Sequence, residues 1–330
     1  MKKLTFEEIQ AVAIGVAYAT EEADGVFLHR FTPAQEQAYK ETSAEFYMKT
    51  AASAGIRLVF ETDAENLQIG VSISPGSKSK GFALDVYAGD ALVGSISTWP
   101  TDGIEGKFNE SYALGTGVKT VRIYLPWQAC ARIAELSVED GAYIKPLRPS
   151  KKMLMFGDSI THGVTALRQK NSYAVRLSEM LDAEARNKGI GGDTFFPALA
   201  QCTDEAEFNP EYITVAYGSN DWGKKTAEKY CADVRAFYGA LSKQYPNAKI
   251  FAITPIWRAD EDTERPLGPF SDLERHICEN TKDFANVTVI PGRDLVPHDT
   301  ALYHDARLHP NDEGFAYYAE NLHREIMKYL

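Results

Sequence analysis

Met153-Leu154-Met155-Phe156-Gly157-Asp158-Ser159-Ile160-Thr161-His162-Gly163 is the stretch on which the reading of this chain turns. Four apolar residues run directly into Gly-Asp-Ser, and polar residues and glycine follow. A short apolar run bounded by turn formers fits a buried strand. A strand that stops at a serine lifts the hydroxyl to the carboxyl edge of a sheet, where open α/β folds place their ligands. Three residues recur by chance, so the weight of Gly-Asp-Ser comes from what lies downstream.

Beyond the stiff polar connector Pro146-Leu147-Arg148-Pro149-Ser150, apolar strands alternate with helical segments. The pattern predicts strands at 152–157, 184–190, 212–217, 249–254 and 287–290. It predicts helices near 171–182, 196–206, 226–245, 270–284 and 311–329. Such alternation gives a parallel sheet with helices on both faces. The expected fold over 148–330 is therefore a three-layer α/β domain of flavodoxin-like strand order.

Upstream the period is two. Ile56-Arg57-Leu58-Val59-Phe60, the segment from Leu67 to Ile73, that from Phe82 to Tyr87 and that from Val118 to Leu125 each put every second apolar residue on one face. Turn-forming clusters such as Ser74-Pro75-Gly76-Ser77, Gly89-Asp90 and Asp102-Gly103 separate them. Residues 1–147 are expected to form a β-sandwich of jelly-roll type, with Trp99 and Trp127 as core anchors.

A chain of 330 residues is long enough for these two domains. Its net charge of −11 argues against attraction to nucleic acid or to an anionic membrane surface. The start, Met1-Lys2-Lys3-Leu4-Thr5-Phe6-Glu7-Glu8, lacks the apolar core of a signal peptide. No run approaches the roughly 18 apolar residues that span a bilayer. Cys130, Cys202, Cys231 and Cys278 are scattered without metal spacing, which reads as reduced thiols in a cytoplasmic protein.

Four polar pieces fall at the ends of successive elements: Gly157-Asp158-Ser159, the run from Asn187 to Thr194, Gly218-Ser219-Asn220-Asp221, and the run from Asp305 to Gly314. Acyl transfer needs this inventory. A serine hydroxyl is a poor nucleophile until an imidazole takes its proton, and His309 is the candidate base for Ser159. The tetrahedral oxyanion needs fixed donors, for which the backbone N–H groups of Ser159 and Gly192 and the amide of Asn220 are candidates. At Gly192 the missing side chain lets a substrate oxygen approach the backbone.

In this order the four pieces resemble the sequence blocks of SGNH hydrolases, the GDSL esterase/lipase superfamily. The resemblance runs from Lys151 to the C-terminus. It implies Ser159 as nucleophile, Ser159, Gly192 and Asn220 as the oxyanion hole, and His309 as base. A β-sandwich ahead of such a domain is similar in layout to carbohydrate-esterase family two, whose members remove acetyl groups from sugars. One departure stands out. The superfamily spaces acid and base as Asp-x-x-His, but the residue three before His309 is Ala306, and Asp305 lies one further back. Either the loop bulges so that Asp305 reaches the imidazole, which is the preferred reading, or the site is a Ser–His dyad.

His304 is the rival base, but Pro310 and the helix start at Asn311 put His309 on a defined loop. His162 reads as shaping the mouth of the site, and Asp158 and Asp221 as bracing loops. Trp222, Trp257 and Arg258 are candidate pocket residues, with Phe195 and Phe196 on the acyl side. No metal-ligand motif and no cofactor-binding motif is evident. The expected activity is a serine esterase on short acyl esters, most simply O-acetyl groups on carbohydrates, with a small-molecule or oligosaccharide ester as the expected partner. The alternatives are a lysophospholipase or lipase for longer chains, and a non-catalytic carbohydrate-binding protein.

Overall fold

The computed structural model describes residues 1–98 and 103–330, so Trp99 and Asp102 lie outside the described residues. The second half carries five parallel strands: β1 (Lys151–Gly157), β2 (Ala183–Gly189), β3 (Tyr212–Ala216), β4 (Lys249–Ile253) and β5 (Val287–Ile290). Their spatial order is β2-β1-β3-β4-β5. The chain moves outward from β1 to β2, then crosses back to β3. The point of reversal therefore lies between β1 and β3, and their carboxyl ends open the crevice where this class of sheet binds ligands. Those ends carry Gly-Asp-Ser and Gly-Ser-Asn.

The burial of β1 explains its unbroken apolar run. Leu154 and Phe156 enter one core together with helices α2 (Ala227–Gln244) and α3 (Asp272–Thr281). Met153 and Met155 enter the opposite core with α1 (Tyr173–Met180) and α4 (Asp312–Met327). A central parallel strand covered on both faces needs apolar residues at every position. The helices start where side-chain caps dictate: Ser172, Thr226 and Asn311 each accept from backbone N–H groups of the first turn.

One expected helix is shortened. The segment 196–206 is helical only over Pro197–Gln201, followed by a separate turn at Ala206–Phe208. Asp204 is drawn away from helix geometry because its carboxylate accepts from the Thr32 hydroxyl and the Ala34 N–H. No helix among the described residues is long and apolar enough to cross a membrane.

In the first half, strands build two antiparallel sheets. One runs Tyr18–Glu22, Gly25–His29, Ala129–Val138, Asn66–Pro75, Gly106–Ala113; the other runs Ile144–Pro146, Arg57–Thr62, Lys119–Tyr124, Ala83–Ala88, Ala91–Ser97. The alternating residues meet between the sheets: Leu67, Ile69, Val71 and Ile73 face Leu58, Phe60, Val121 and Ile123 in one core.

The alternation of period two does not reveal two helices here, Pro33–Thr42 and Ala44–Thr50. The first begins with a capping box between Thr32 and Gln35 and with proline in its first turn. This pair lies against the end of β2. Arg30, fully buried just ahead of it, donates to the carbonyls of Lys49 and Ala52 on one side. On the other side it donates to Asn187 and Gly189 at 2.8 and 2.7 Å. The two halves are thus joined through a desolvated guanidinium whose donors are matched by carbonyls.

Candidate active site

β1 delivers Ser159 to the crevice. Asp158 caps the single helical turn Ser159–His162 by accepting from the Ile160 N–H at 3.0 Å. This turn packs so closely on Gly189 that a Cβ there would lie 2.4 Å from the His162 nitrogen. The Ser159 hydroxyl sits 2.9 Å from His309 Nε2. His309 Nδ1 sits 2.8 Å from Asp305 Oδ2. A carboxylate only accepts, so Nδ1 carries the proton and Nε2 is free to accept from Ser159.

The loop holding His309 is pinched by a bridge between Tyr303 and Pro310 and by the His304 N–H on the His309 carbonyl. Within it Ala306 takes φ +52°, a left-handed conformation. That turn lets Asp305 Oδ1 accept the N–H groups of Arg307, Leu308 and His309 while Oδ2 faces the imidazole. Burial alone would raise the Asp305 carboxyl. The N–H of Leu308, then the imidazole and N–H of His309, outweigh it and hold the group well below the usual carboxylate range.

Gly192 has φ +90°, and a Cβ there would meet only Phe46, at 3.7 Å. Backbone conformation, more than space, demands glycine at this position. The N–H groups of Ser159 and Gly192 have no acceptor among the described residues. Asn220, on the loop after β3, donates from its amide to the Asp193 carbonyl at 2.9 Å and more weakly to Asp158 Oδ2 at 3.4 Å. All three border one cavity of about 460 Å³ with His309.

Beneath Asn220 lie three buried carboxylates. Burial, followed by Asp221 and Asp193, pushes Asp158 up to about 7, against the opposing Ile160 N–H and Arg258. Burial likewise raises Asp193 to about 6, although the Tyr39 hydroxyl at 2.6 Å and the Thr194 N–H oppose it. Asp221 is raised by burial too, and Lys225 at 2.8 Å and the Phe195 N–H moderate it.

The structure does not bring Trp222, Trp257 or Arg258 to this cavity. The turn Asp221–Gly223 carries Trp222 into the core, 1% exposed, where its indole N–H donates to the Gly268 carbonyl at 2.7 Å. Arg258 lies 4.9 Å over the Trp222 ring and donates to Asp260 and the Ser219 carbonyl. Trp257 stacks on His298 with ring centroids 5.3 Å apart. These three brace the loops behind the site. Phe195 is a core residue, and Phe196 packs on Tyr39.

Other lining residues come from the first half, where no motif announces them: Glu45, Lys49, Ser77, Lys78, Ser79 and Trp127. Glu45 accepts from Lys49 and Lys78, which pulls its carboxyl down to about 2. The capping box at Thr32 is visible in the sequence and announces a helix; where that helix docks depends on contacts distant along the chain. His304 also borders the cavity, but the imidazole within bonding distance of Ser159 is that of His309.

Residues 155–317 match the sequence model of the GDSL-like Lipase/Acylhydrolase family. Among solved structures, the chain is similar to the salicylyl-acyltransferase SsfX3 from a tetracycline biosynthetic pathway, at 19% identity and TM-score 0.78, over 96% of this chain and 94% of that one. It is similar to a family two carbohydrate esterase from Clostridium thermocellum in complex with cellohexaose, at 15% identity and TM-score 0.66, over 84% and 93%. It is also similar to an acetyl xylan esterase, Est2A, from the rumen bacterium Butyrivibrio proteoclasticus, at 16% identity and TM-score 0.66, over 99% and 98%. At these identities the likeness is one of fold. A search of curated proteins found no match.

Proposed function

We propose that this chain, whose residues 155–317 are a GDSL-like lipase/acylhydrolase domain, is a serine esterase that removes short acyl groups, acetyl above all, from the hydroxyls of a carbohydrate. The observation that carries the reading is the chain of contacts from Ser159 Oγ to His309 Nε2, 2.9 Å, and from His309 Nδ1 to Asp305, 2.8 Å.

In this reading Ser159 Oγ attacks the ester carbonyl while His309 Nε2 takes its proton, and Asp305 steadies the imidazolium. The oxyanion is met by the N–H groups of Ser159 and Gly192 and by the Asn220 amide. Collapse expels the alcohol, which takes the proton from His309. Water then attacks the acyl-serine as His309 again removes a proton, and Ser159 is regenerated.

A cavity of about 460 Å³ accommodates an acetyl group with a sugar beyond it. Ser77, Lys78, Ser79 and Glu45 on its rim supply hydrogen-bonding groups suited to a polyhydroxylated leaving group. The carbohydrate esterases of similar fold support the same substrate class.

The test is a mass-spectrometric assay of acetylated xylo-oligosaccharides, with p-nitrophenyl acetate and octanoate alongside and Ser159→Ala as control. Acetyl loss that requires Ser159, with acetate preferred, is the expected result. A pocket that admits long chains would gain about 0.8 kcal/mol per buried methylene, so faster octanoate turnover would replace this reading with a lipase. Absence of turnover on every ester would leave a binding protein.

A further inference from the structure

Gly191 is gripped at both of its peptide groups by side chains from opposite sides. Its N–H donates to His162 Nδ1 at 3.2 Å, and its carbonyl accepts from the Lys49 ammonium at 2.6 Å. The His162 ring is anchored in turn, because Nε2 then bears the proton and donates to the Trp127 carbonyl at 3.0 Å. Burial, then the charge of Arg30, holds His162 well below the ordinary histidine range, against the Trp127 contact, so the ring stays neutral and able to accept.

The Lys49 contact bears on the neighbouring residue. The Gly191 carbonyl and the Gly192 N–H belong to one planar trans peptide and point in opposite directions. An ammonium fixed on that oxygen fixes the direction of that N–H. It also draws electron density toward the oxygen, and hydrogen bonds in such a chain strengthen one another. The next carbonyl, that of Gly192, is held by the Lys224 ammonium at 2.7 Å.

Lys49 is built for a fixed position. Its side chain is buried, and its ammonium also donates to Glu45 Oε1 at 2.6 Å. Its own carbonyl accepts from Arg30 at 2.8 Å, the guanidinium that holds Gly189 at the end of β2.

We propose that Lys49, supplied by the β-rich first half, is a positioning residue for acyl transfer, orienting and polarising the Gly191–Gly192 peptide so that the Gly192 N–H meets the oxyanion. The role assigned to that N–H rests on the acyl-enzyme reading above. The grip on the peptide does not, and the two are tested separately.

The experiment compares full-length Lys49→Met, Lys49→Gln and Lys49→Arg with wild type in two measurements. The first is kcat and KM on p-nitrophenyl acetate. The second is the Gly192 amide signal and its hydrogen exchange in [15N]glycine-labelled protein. Because one oxyanion donor is worth about 100–1,000-fold in kcat, misaligning it in Lys49→Met is expected to lower kcat about 10–100-fold with KM changed less than about threefold. The Gly192 amide should shift and exchange faster. Lys49→Gln, which keeps a neutral donor, should fall between Met and wild type, and Lys49→Arg should recover most of both signals. Should Lys49→Met fail to fold, the Gln-to-Arg ordering carries the same decision. A Gly192 amide unchanged by removal of the charge overturns the proposal. So does a raised KM with kcat kept, which would make Lys49 a substrate contact. A wild-type protein without esterase turnover would sink the acyl-enzyme reading alone, while the amide measurement would still decide whether Lys49 holds the peptide.

Discussion

The Asp305 carboxylate lies 2.8 Å from His309 Nδ1 although the two residues are four apart, and the same carboxylate accepts three backbone N–H groups of its own loop. Those N–H bonds tie the acid to the loop independently of the histidine. Asp305→Ala is therefore expected to cost twice over, by freeing the imidazole tautomer and by loosening the loop that aims it. Its kcat should fall about 100–10,000-fold, still about tenfold or more above Ser159→Ala, since in the proposed mechanism serine and base act as a unit. Steady-state kinetics on p-nitrophenyl acetate measure both. A loss of less than about threefold would mean the site runs as a Ser–His dyad.

Ala306 is what closes that distance. At φ +52° an L-residue carries a local penalty of about 1–2 kcal/mol that glycine does not. Ala306→Gly should keep kcat and hold or raise Tm. Ala306→Val, with a branched Cβ in the same conformation, should lower Tm by several degrees and kcat by about tenfold as the loop shifts. Melting curves and kinetics on the pair check the account. Equal behaviour of Gly and Val would show that the positive φ does not set the reach of Asp305.

The extra residue between acid and base was readable in the sequence, and so was the question it posed; the answer required φ at Ala306. The parallel half was legible because most of its helices have a strong local period, and because residues 153–156 of β1 are apolar at every position between its two covered faces. Trp222, Trp257 and Arg258 were misplaced by the same logic that placed Asn220. Position along the chain says that Trp222 is near Asn220, but a single turn at Asp221–Gly223 sends its ring into the core. Lys49 was illegible for a different reason. A helical turn with a lysine and a glutamate four apart reads as a solvated face. Only the docking of Arg30 on Gly189 and Asn187 makes that lysine part of the site.

Asn220 joins the cavity to the carboxylate cluster. Its amide nitrogen donates to the Asp193 carbonyl at 2.9 Å and more weakly to Asp158 Oδ2 at 3.4 Å, and in the proposed mechanism the hydrogen in that long contact is the one shared with the oxyanion. Asn220→Ala is expected to lower kcat about 100–1,000-fold while KM stays within a few-fold, the signature of an interaction made only in the transition state. A rise in KM with kcat preserved would assign Asn220 to ground-state binding instead.

Asp158 gives the fold a pH dependence of definite sign. Its carboxyl titrates near 7 when folded, chiefly through burial, and near 4 when unfolded. Between those values the folded chain retains a proton that the unfolded chain has released. The contribution to stability is therefore complete below about pH 4 and is lost as pH rises through 7. Asp193, raised to about 6, adds in the same direction. His162, kept neutral by burial, opposes both, because below about pH 6.5 the unfolded chain binds a proton that the fold refuses. Asp158→Asn retains an oxygen to accept the Ile160 N–H and removes the charge. Its Tm relative to wild type should therefore be more favourable at pH 8 than at pH 4.5, by a few degrees, whatever the substitution costs at both. Comparing the two proteins at each pH subtracts the His162 contribution, and relief of Asp193 by loss of the Asp158 charge adds to the expected difference in the same direction. An identical Tm difference at pH 4.5 and pH 8 would mean that Asp158 ionises in the fold as it does in the unfolded chain, and that burial beneath Asn220 leaves its charge undisturbed.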